Sequence, residues 1–161
     1  MYRTPYLIIG NSAAAVAAVE GIREQDPYPP VTLVAREPHH TYSRPLISYL
    51  LAGEVDENDM PYRPADFYRR NRVDALLGVE AVGLDTAQHL VETDDGRTIP
   101  FDKLLIATGG TPLLPPDVAG MDCPGVFTFT TWDDARRIRD WIAWRDVCRA
   151  VVVGGGLIGL K

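Results

Sequence analysis

Cysteine, histidine and positive charge are all scarce in this sequence. Its 161 residues hold two cysteines, Cys123 and Cys148, and three histidines. Two cysteines 25 positions apart make neither a CxxC pair nor a disulfide framework, a pattern suited to a reducing cytoplasm. With so few Cys and His, a zinc site is not expected. Lys and Arg number 16 against 22 Asp and Glu, for a formal charge of −6. An acidic chain lacks the basic footprint that nucleic acid or an anionic membrane surface requires. Nor is there an apolar run near the ~20 residues that cross a bilayer. The first residues run straight into a short apolar stretch with no signal-peptide cleavage pattern. What remains is an ordinary globular balance, 46% hydrophobic and 24% charged, about one domain long.

Two stretches with one design, an apolar run followed by a glycine turn, lie at opposite ends of the chain. Residues 6–9 (YLII) read as a buried strand, and Gly10-Asn11-Ser12 as a turn. The alanine-rich stretch 13–24 reads as a helix, and 31–34 (VTLV) as a second strand. Strand, turn, helix and strand within about 30 residues place two parallel strands side by side. Residues 150–153 (AVVV) repeat the opening strand. They lead into Gly154-Gly155-Gly156-Leu157-Ile158-Gly159, a full G-x-G-x-x-G. The sequence stops at Lys161, where a helix is expected, so the reading is of a chain that ends inside a second nucleotide-binding unit.

Between the two ends, 45–51 and 64–72 read as short helices. Residues 75–106 read as short strands turning at Asp94-Asp95-Gly96, with a small antiparallel meander expected over 75–98 and a further buried strand at 104–106. Residues 111–125 are non-periodic and hold Pro112, Pro115, Pro116 and Pro124, which marks a linker. Residues 131–144 read as an amphipathic helix capped by Thr131, with Asp133 and Asp134 in its first turn and Trp132, Ala135, Ile138, Trp141 and Ile142 on one face. The division expected is 1–110, a linker over 111–125, and 126–161. With its covering elements missing, the segment after Gly125 is expected to leave Trp132, Trp141, Trp144 and Ile138 partly in water. It is also expected to pair with a second copy, making a homo-oligomer, or to lie non-natively on the first domain.

The first turn points to chemistry. A helix N-terminus offers unpaired N–H groups and a positive dipole end, so a tight strand-to-helix turn is suited to a pyrophosphate. The three demanding positions of such a turn are here Gly10, Ser12 and Ala15. Gly10 and Ala15 fit. Ser12 departs from glycine, and its Cβ hinders close approach while its hydroxyl offers a donor. Taken by itself the turn serves a phosphate or plain αβ packing equally well. Glu37 follows the second strand, where a carboxylate grips a ribose hydroxyl or, alternatively, is simply solvated.

With these residues in view, the sequence resembles the FAD-dependent pyridine nucleotide oxidoreductases of the glutathione-reductase fold, in their rubredoxin, ferredoxin and nitrite-reductase-type branch. Four stretches carry the resemblance: 8–15 (IIGNSAAA), 36–48 (REPHHTYSRPLIS), 104–110 (LLIATGG) and 151–159 (VVVGGGLIG). It implies an α/β fold, a three-layer FAD/NAD(P)-binding Rossmann-like domain with a parallel sheet and a small antiparallel meander. It implies that Gly10, Asn11, Ser12, Ala13, Ala14 and Ala15 hold the FAD pyrophosphate and Glu37 the adenosine ribose. Arg44 and Pro45 would lie beside the cofactor, Ala81 would touch the adenine through its backbone, and Ala107, Thr108 and Gly109 would close the first half of the FAD domain. Gly154, Gly156 and Gly159 would begin the NAD(P)H site.

In function, the resemblance implies the N-terminal portion of a flavoprotein that passes hydride from NAD(P)H to FAD. Electrons then go to an acceptor, either a small redox protein or a fused reductase domain. A non-catalytic dinucleotide-binding module is the alternative. Relatives that reduce disulfides carry a redox cysteine in the helix after the ribose acid. Residues 40–51 contain none, which excludes a thiol relay. Ferredoxin-reductase-like relatives often have a lysine after the Leu-Ile-Ser segment, where this chain has Tyr49. The fragment alone is expected to hold FAD weakly or not at all and to be inactive.

Overall fold

The computed structural model describes residues 3–156. By its internal contacts the chain divides into two compact units, Met1–Ser43 with Pro61–Gly110, and Arg44–Met60 with Thr111–Lys161. The boundary at Gly110 coincides with the start of the proline-rich stretch. The segment Arg44–Met60, which the sequence reading kept in 1–110, groups with the second unit.

The first unit is built on β1 (Thr4–Ile9), followed by α1 (Ala13–Gln25) and β2 (Val31–Ala35). After α2 (Ile47–Ala52), which belongs to the second unit, a short helix α3 (Phe67–Arg70) leads into β3 (Val73–Leu77). Then come β4 (Ala81–Asp85), β5 (Leu90–Thr93) and β6 (Thr98–Ile106). The strands follow the order β3-β2-β1-β6-β5-β4. The first four of that order are parallel. β1 lies between β2 and β6, with Ile8 opposite Leu33 on one side and Leu105 on the other.

Apolar residues alternate between two cores, because side chains leave a strand on opposite faces. Ile8, Val31, Leu33, Ala35 and Val73 face Ala15, Val16 and Val19 of α1 and Phe67 of α3. Leu7 and Val34 face Val91 and Phe101 of the meander. Both faces of β1 and β2 are covered, so these two strands are largely apolar runs rather than alternating ones. The result is three layers: helix, parallel sheet and meander.

The meander differs from the sequence reading in its limits. Residues 75–77 belong to β3, which is parallel to β2, so the meander is β4, β5 and the start of β6, where Leu90 pairs with Pro100 and Glu92 with Thr98. β6 serves both sheets. Its first residues pair antiparallel with β5 and its later ones parallel with β1. Periodicity signals a strand but carries no information about which partner it meets.

The second unit holds α2 (Ile47–Ala52), entered through a 3-10 turn at Arg44–Leu46, and α4 (Trp132–Arg145), which pack together. Thr131 caps α4 as expected. Its side chain accepts from the Asp134 N–H, and Asp134 reaches back to the N–H of Thr131 at 2.9 Å and of Thr130 at 2.8 Å, a capping box. Glu57 pairs with Arg136 and, at 3.5 Å, with Arg139 of the same helix. The expectation that all three tryptophans reach water is corrected. Trp132 is only 8% exposed and Ala135 is buried in a helix that packs with α2, whereas Trp144 at its far end is 70% exposed. Residues 111–125 have no helix or strand.

The expected strand at 150–153 is not formed. Residues 151–153 have no regular secondary structure, and Val153 is 93% exposed. A strand exists only through hydrogen bonds to a neighbour, and none pairs with it among the described residues. No helix among the described residues is long and apolar enough to cross a membrane.

Asp134 gives the second unit a pH signature. It is only 3% exposed. Burial pushes its pKa up, but the N–H groups of Thr130 and Thr131 and the Arg137 guanidinium outweigh that and hold it below the ordinary aspartate value. A carboxyl depressed in the folded state adds stability above its unfolded pKa, about 4, and loses it as pH falls through the folded value. Unfolding of this unit is therefore expected to become easier below about pH 4. Asp134→Ala should cost about 1–2 kcal/mol at neutral pH and blunt that acid loss, as read by thermal denaturation across pH.

Candidate dinucleotide site

The turn after β1 is shaped by its neighbours. Gly10 has φ +123°, a conformation that side chains other than hydrogen disfavour. Its N–H donates to the Val34 carbonyl at 2.8 Å, at the end of β2. On its other side stands Ala107, whose own N–H donates to the Ile9 carbonyl at 2.7 Å. A Cβ on Gly10 would overlap the Ala107 carbonyl oxygen and lie 2.6 Å from the carbonyl carbon. Residues 10 and 107, far apart in sequence, thus require each other's backbone.

Ser12 is the N-cap of α1. It is extended and makes no side-chain cap bond, while its carbonyl accepts from Val16 N–H at 3.0 Å. The first-turn N–H groups of a helix have no intrahelical acceptor. Ala13 and Ala14 have exposed side chains, and the first turn carries no acidic residue. Ala15 is 0% exposed and packs into the core, where there is room for a methyl group. The turn therefore presents backbone donors and a helix dipole with no acidic residue in the first turn of α1, which suits an anion.

Asn11 turns its carboxamide elsewhere. Its Nδ2 donates to the His39 carbonyl at 3.1 Å, and its Oδ1 accepts from the Tyr68 hydroxyl at 2.8 Å. That hydroxyl also accepts from the Thr41 N–H at 3.0 Å.

Glu37 sits two residues beyond β2. The Tyr42 hydroxyl donates to its Oε2 at 2.6 Å, and its carbonyl accepts from the Gly78 N–H at 3.3 Å. Tyr42 is buried and forms a bridge with Pro61, and the Tyr62 N–H donates to the Thr41 carbonyl at 2.9 Å. The carboxylate is thus set by local structure, at the same strand ends as Gly10.

Ala107, Thr108 and Gly109 leave β6 at that edge. Gly109 has φ +74° and no neighbour where a Cβ would stand, so glycine is favoured there by backbone conformation rather than by space. Ala81 pairs with Thr93 in the meander. Ala81 and Thr108 meet in an open apolar cavity of about 220 Å³, with Ile9, Val82, Gly83, Leu84 and Ile106.

The remaining candidates lie in the second unit. The Arg44 guanidinium donates to the Thr130 carbonyl at 2.7 Å, and the Pro45 carbonyl accepts from Ser48 Oγ at 3.3 Å. Gly154 has φ +118°, and Gly154 and Gly156 are exposed, with none of the described residues within 4 Å of where a Cβ would stand. Gly159 lies outside the described residues. Among those described, no group of His, Cys, Asp and Glu is arranged to hold a metal ion, and Cys123 and Cys148 are free and exposed.

Sequence reading missed Tyr68, Tyr42 and Thr41. The only signal was a tyrosine in place of phenylalanine at an apolar helical position, since a tyrosine hydroxyl seeks a partner when its ring is buried.

The family model described as pyridine nucleotide-disulphide oxidoreductase matches residues 4–161. The chain belongs to this family. It is 36% identical over 157 residues to the NADH-dependent phenylglyoxylate dehydrogenase subunit epsilon of Aromatoleum evansii, covering 98% of this chain and 37% of that protein. It is 33% identical over 154 residues to the benzene 1,2-dioxygenase system ferredoxin–NAD(+) reductase subunit of Pseudomonas putida, covering 96% and 37%. Among solved structures, the ferredoxin reductase for the CYP199A2 system from Rhodopseudomonas palustris matches with a TM-score of 0.87 at 26% identity, covering 98% of this chain and 38% of that one. The chain thus spans about 37% of the length of the two curated relatives, and the Rossmann-like α/β fold is the one it shares with the solved structure.

Proposed function

We propose that this chain carries the adenosine and pyrophosphate side of the FAD site in an NAD(P)H-dependent flavoprotein reductase. The observation that carries the reading is the seat of Gly10. Its backbone is held between Val34 and Ala107, next to uncapped N–H groups of α1 and at the strand edge where Glu37 stands. The fit with FAD is chemical: backbone donors for a pyrophosphate, a carboxylate for ribose hydroxyls, and small residues that allow close approach. Gly10 to Ala15 would hold the pyrophosphate and Glu37 the ribose. Ala81 would touch the adenine, and Ala107 to Gly109 would close this half of the site.

Arg44 and Pro45 stand beside the cofactor in this reading, and Gly154, Gly156 and Gly159 open the NAD(P)H site of a second domain begun at 126–161. The flavin, when bound, supplies the hydride and electron chemistry, and this chain's residues bind and orient it. The full-length protein would take hydride from NAD(P)H and pass electrons to a small redox protein or a fused reductase domain. The ferredoxin–NAD(+) reductase subunit among the relatives supports that class of acceptor.

The full-length protein should purify with stoichiometric flavin. Glu37→Ala should weaken FAD binding by about 1–3 kcal/mol, the cost of leaving ribose hydroxyls poorly paired. Fluorescence titration of FAD reads both. A wild-type protein that binds no flavin, or a Glu37→Ala variant with unchanged affinity, would overturn the assignment.

A further inference from the structure

Tyr68 joins two parts of the proposed site that the sequence keeps apart. Its hydroxyl donates to Asn11 on the β1–α1 turn at 2.8 Å and accepts from the Thr41 N–H at 3.0 Å. Asn11 completes the link by donating to the His39 carbonyl at 3.1 Å. Three hydrogen bonds thus tie the turn to residues 39–41, the segment that follows Glu37. The Tyr68 ring is half-buried, 4.7 Å from the His40 ring and 5.5 Å from the Phe67 ring between centroids. Burial pushes the Tyr68 pKa above its ordinary value, so the hydroxyl keeps its proton and remains a donor.

We infer that Tyr68 is a positioning residue for the dinucleotide: through Asn11 it fixes the distance between the pyrophosphate turn and the ribose carboxylate before the ligand arrives. The inference rests on the proposed FAD site and deepens it. Asn11 is spent on Tyr68 and His39, so its side chain orients the turn and leaves backbone N–H groups to meet the phosphates. Packing alone does not explain the hydroxyl, because phenylalanine would fill the same space. A ligand that spans both ends gains affinity when their separation is set in advance, since less freedom is lost on binding. A ligand that touches one end gains little. Glu37 has its own supports, the Tyr42 hydroxyl and the Gly78 N–H, so the ribose end holds its geometry without Tyr68.

The test uses the full-length protein, with ADP and adenosine each competed against FAD. ADP reaches both the turn and Glu37, whereas adenosine reaches only the ribose end. Tyr68→Phe removes one donor and one acceptor and keeps the ring. It should weaken ADP binding about tenfold and adenosine binding less than about twofold. Asn11→Ala should show the same selectivity, and the double variant should be no weaker for ADP than the poorer single one, because both break one link.

If Tyr68→Phe fails to fold, Asn11→Ala carries the same comparison. A residue that only stabilises the fold would lower both affinities together, along with the melting temperature. Equal losses for ADP and adenosine, or no loss for ADP, would overturn the inference. Failure of the wild-type protein to bind FAD or ADP would instead overturn the site itself.

Discussion

Gly10→Val should yield a full-length protein that purifies without flavin. The valine Cβ would overlap the Ala107 carbonyl, which is backbone and is itself held by the β6–β1 ladder. Neither partner has a flexible end to move aside. The variant must also hold φ +123°, which a β-branched residue strongly disfavours. Both strains act at the one point where β1, β2 and β6 converge on the turn. Either the turn reshapes and the α1 N–H groups lose their aim, or β6 separates from β1. Flavin absorbance after purification should fall to background, with a drop in melting temperature. Even Gly10→Ala should fail, because the Cβ alone makes the clash. A yellow Gly10→Val protein with wild-type flavin content would place the pyrophosphate elsewhere.

The second large effect is on stability. Leu7→Ala should destabilise the first unit by about 2–5 kcal/mol, the usual range for a buried leucine cut back to a methyl group. Leu7 is 1% exposed on the central strand and packs with Val34, Val91 and Phe101, so it joins the parallel sheet to the meander. The neighbouring strands keep β1 from shifting to fill the gap. The melting temperature of the variant measures the effect. A loss under about 1 kcal/mol would mean that the meander does not pack as a true third layer.

Local signals were enough for several elements. The run YLII, the turn at Gly10 and the alanine helix were legible because a buried parallel strand and an alanine-rich helix each leave their own pattern over a few residues. The Thr131 cap was legible because its partner, Asp134, lies three residues away. The glycine turn, the acidic residue after β2 and the four matching stretches together pointed to a dinucleotide fold.

Partners were a different matter. Nothing local says that residues 75–77 pair with β2 rather than with the meander, or that Phe101 and Lys103 lie beside β1, since a strand reads alike whatever it meets. The reason Gly10 must be glycine is Ala107, 97 positions later. Residues 150–153 carried a strong strand pattern and formed no strand, because a ladder needs a second chain segment and propensity supplies none. Nothing near Tyr68 in the sequence says that Asn11 and Thr41 meet its hydroxyl, a contact that exists only in the fold. The sequence by itself determined most of the elements, the kind of fold and the turn that suits an anion, because those follow from neighbours along the chain. Only the tertiary structure decided which strands pair, why Gly10 admits no side chain and what holds the turn to the Glu37 segment, because each depends on contacts between residues distant in sequence.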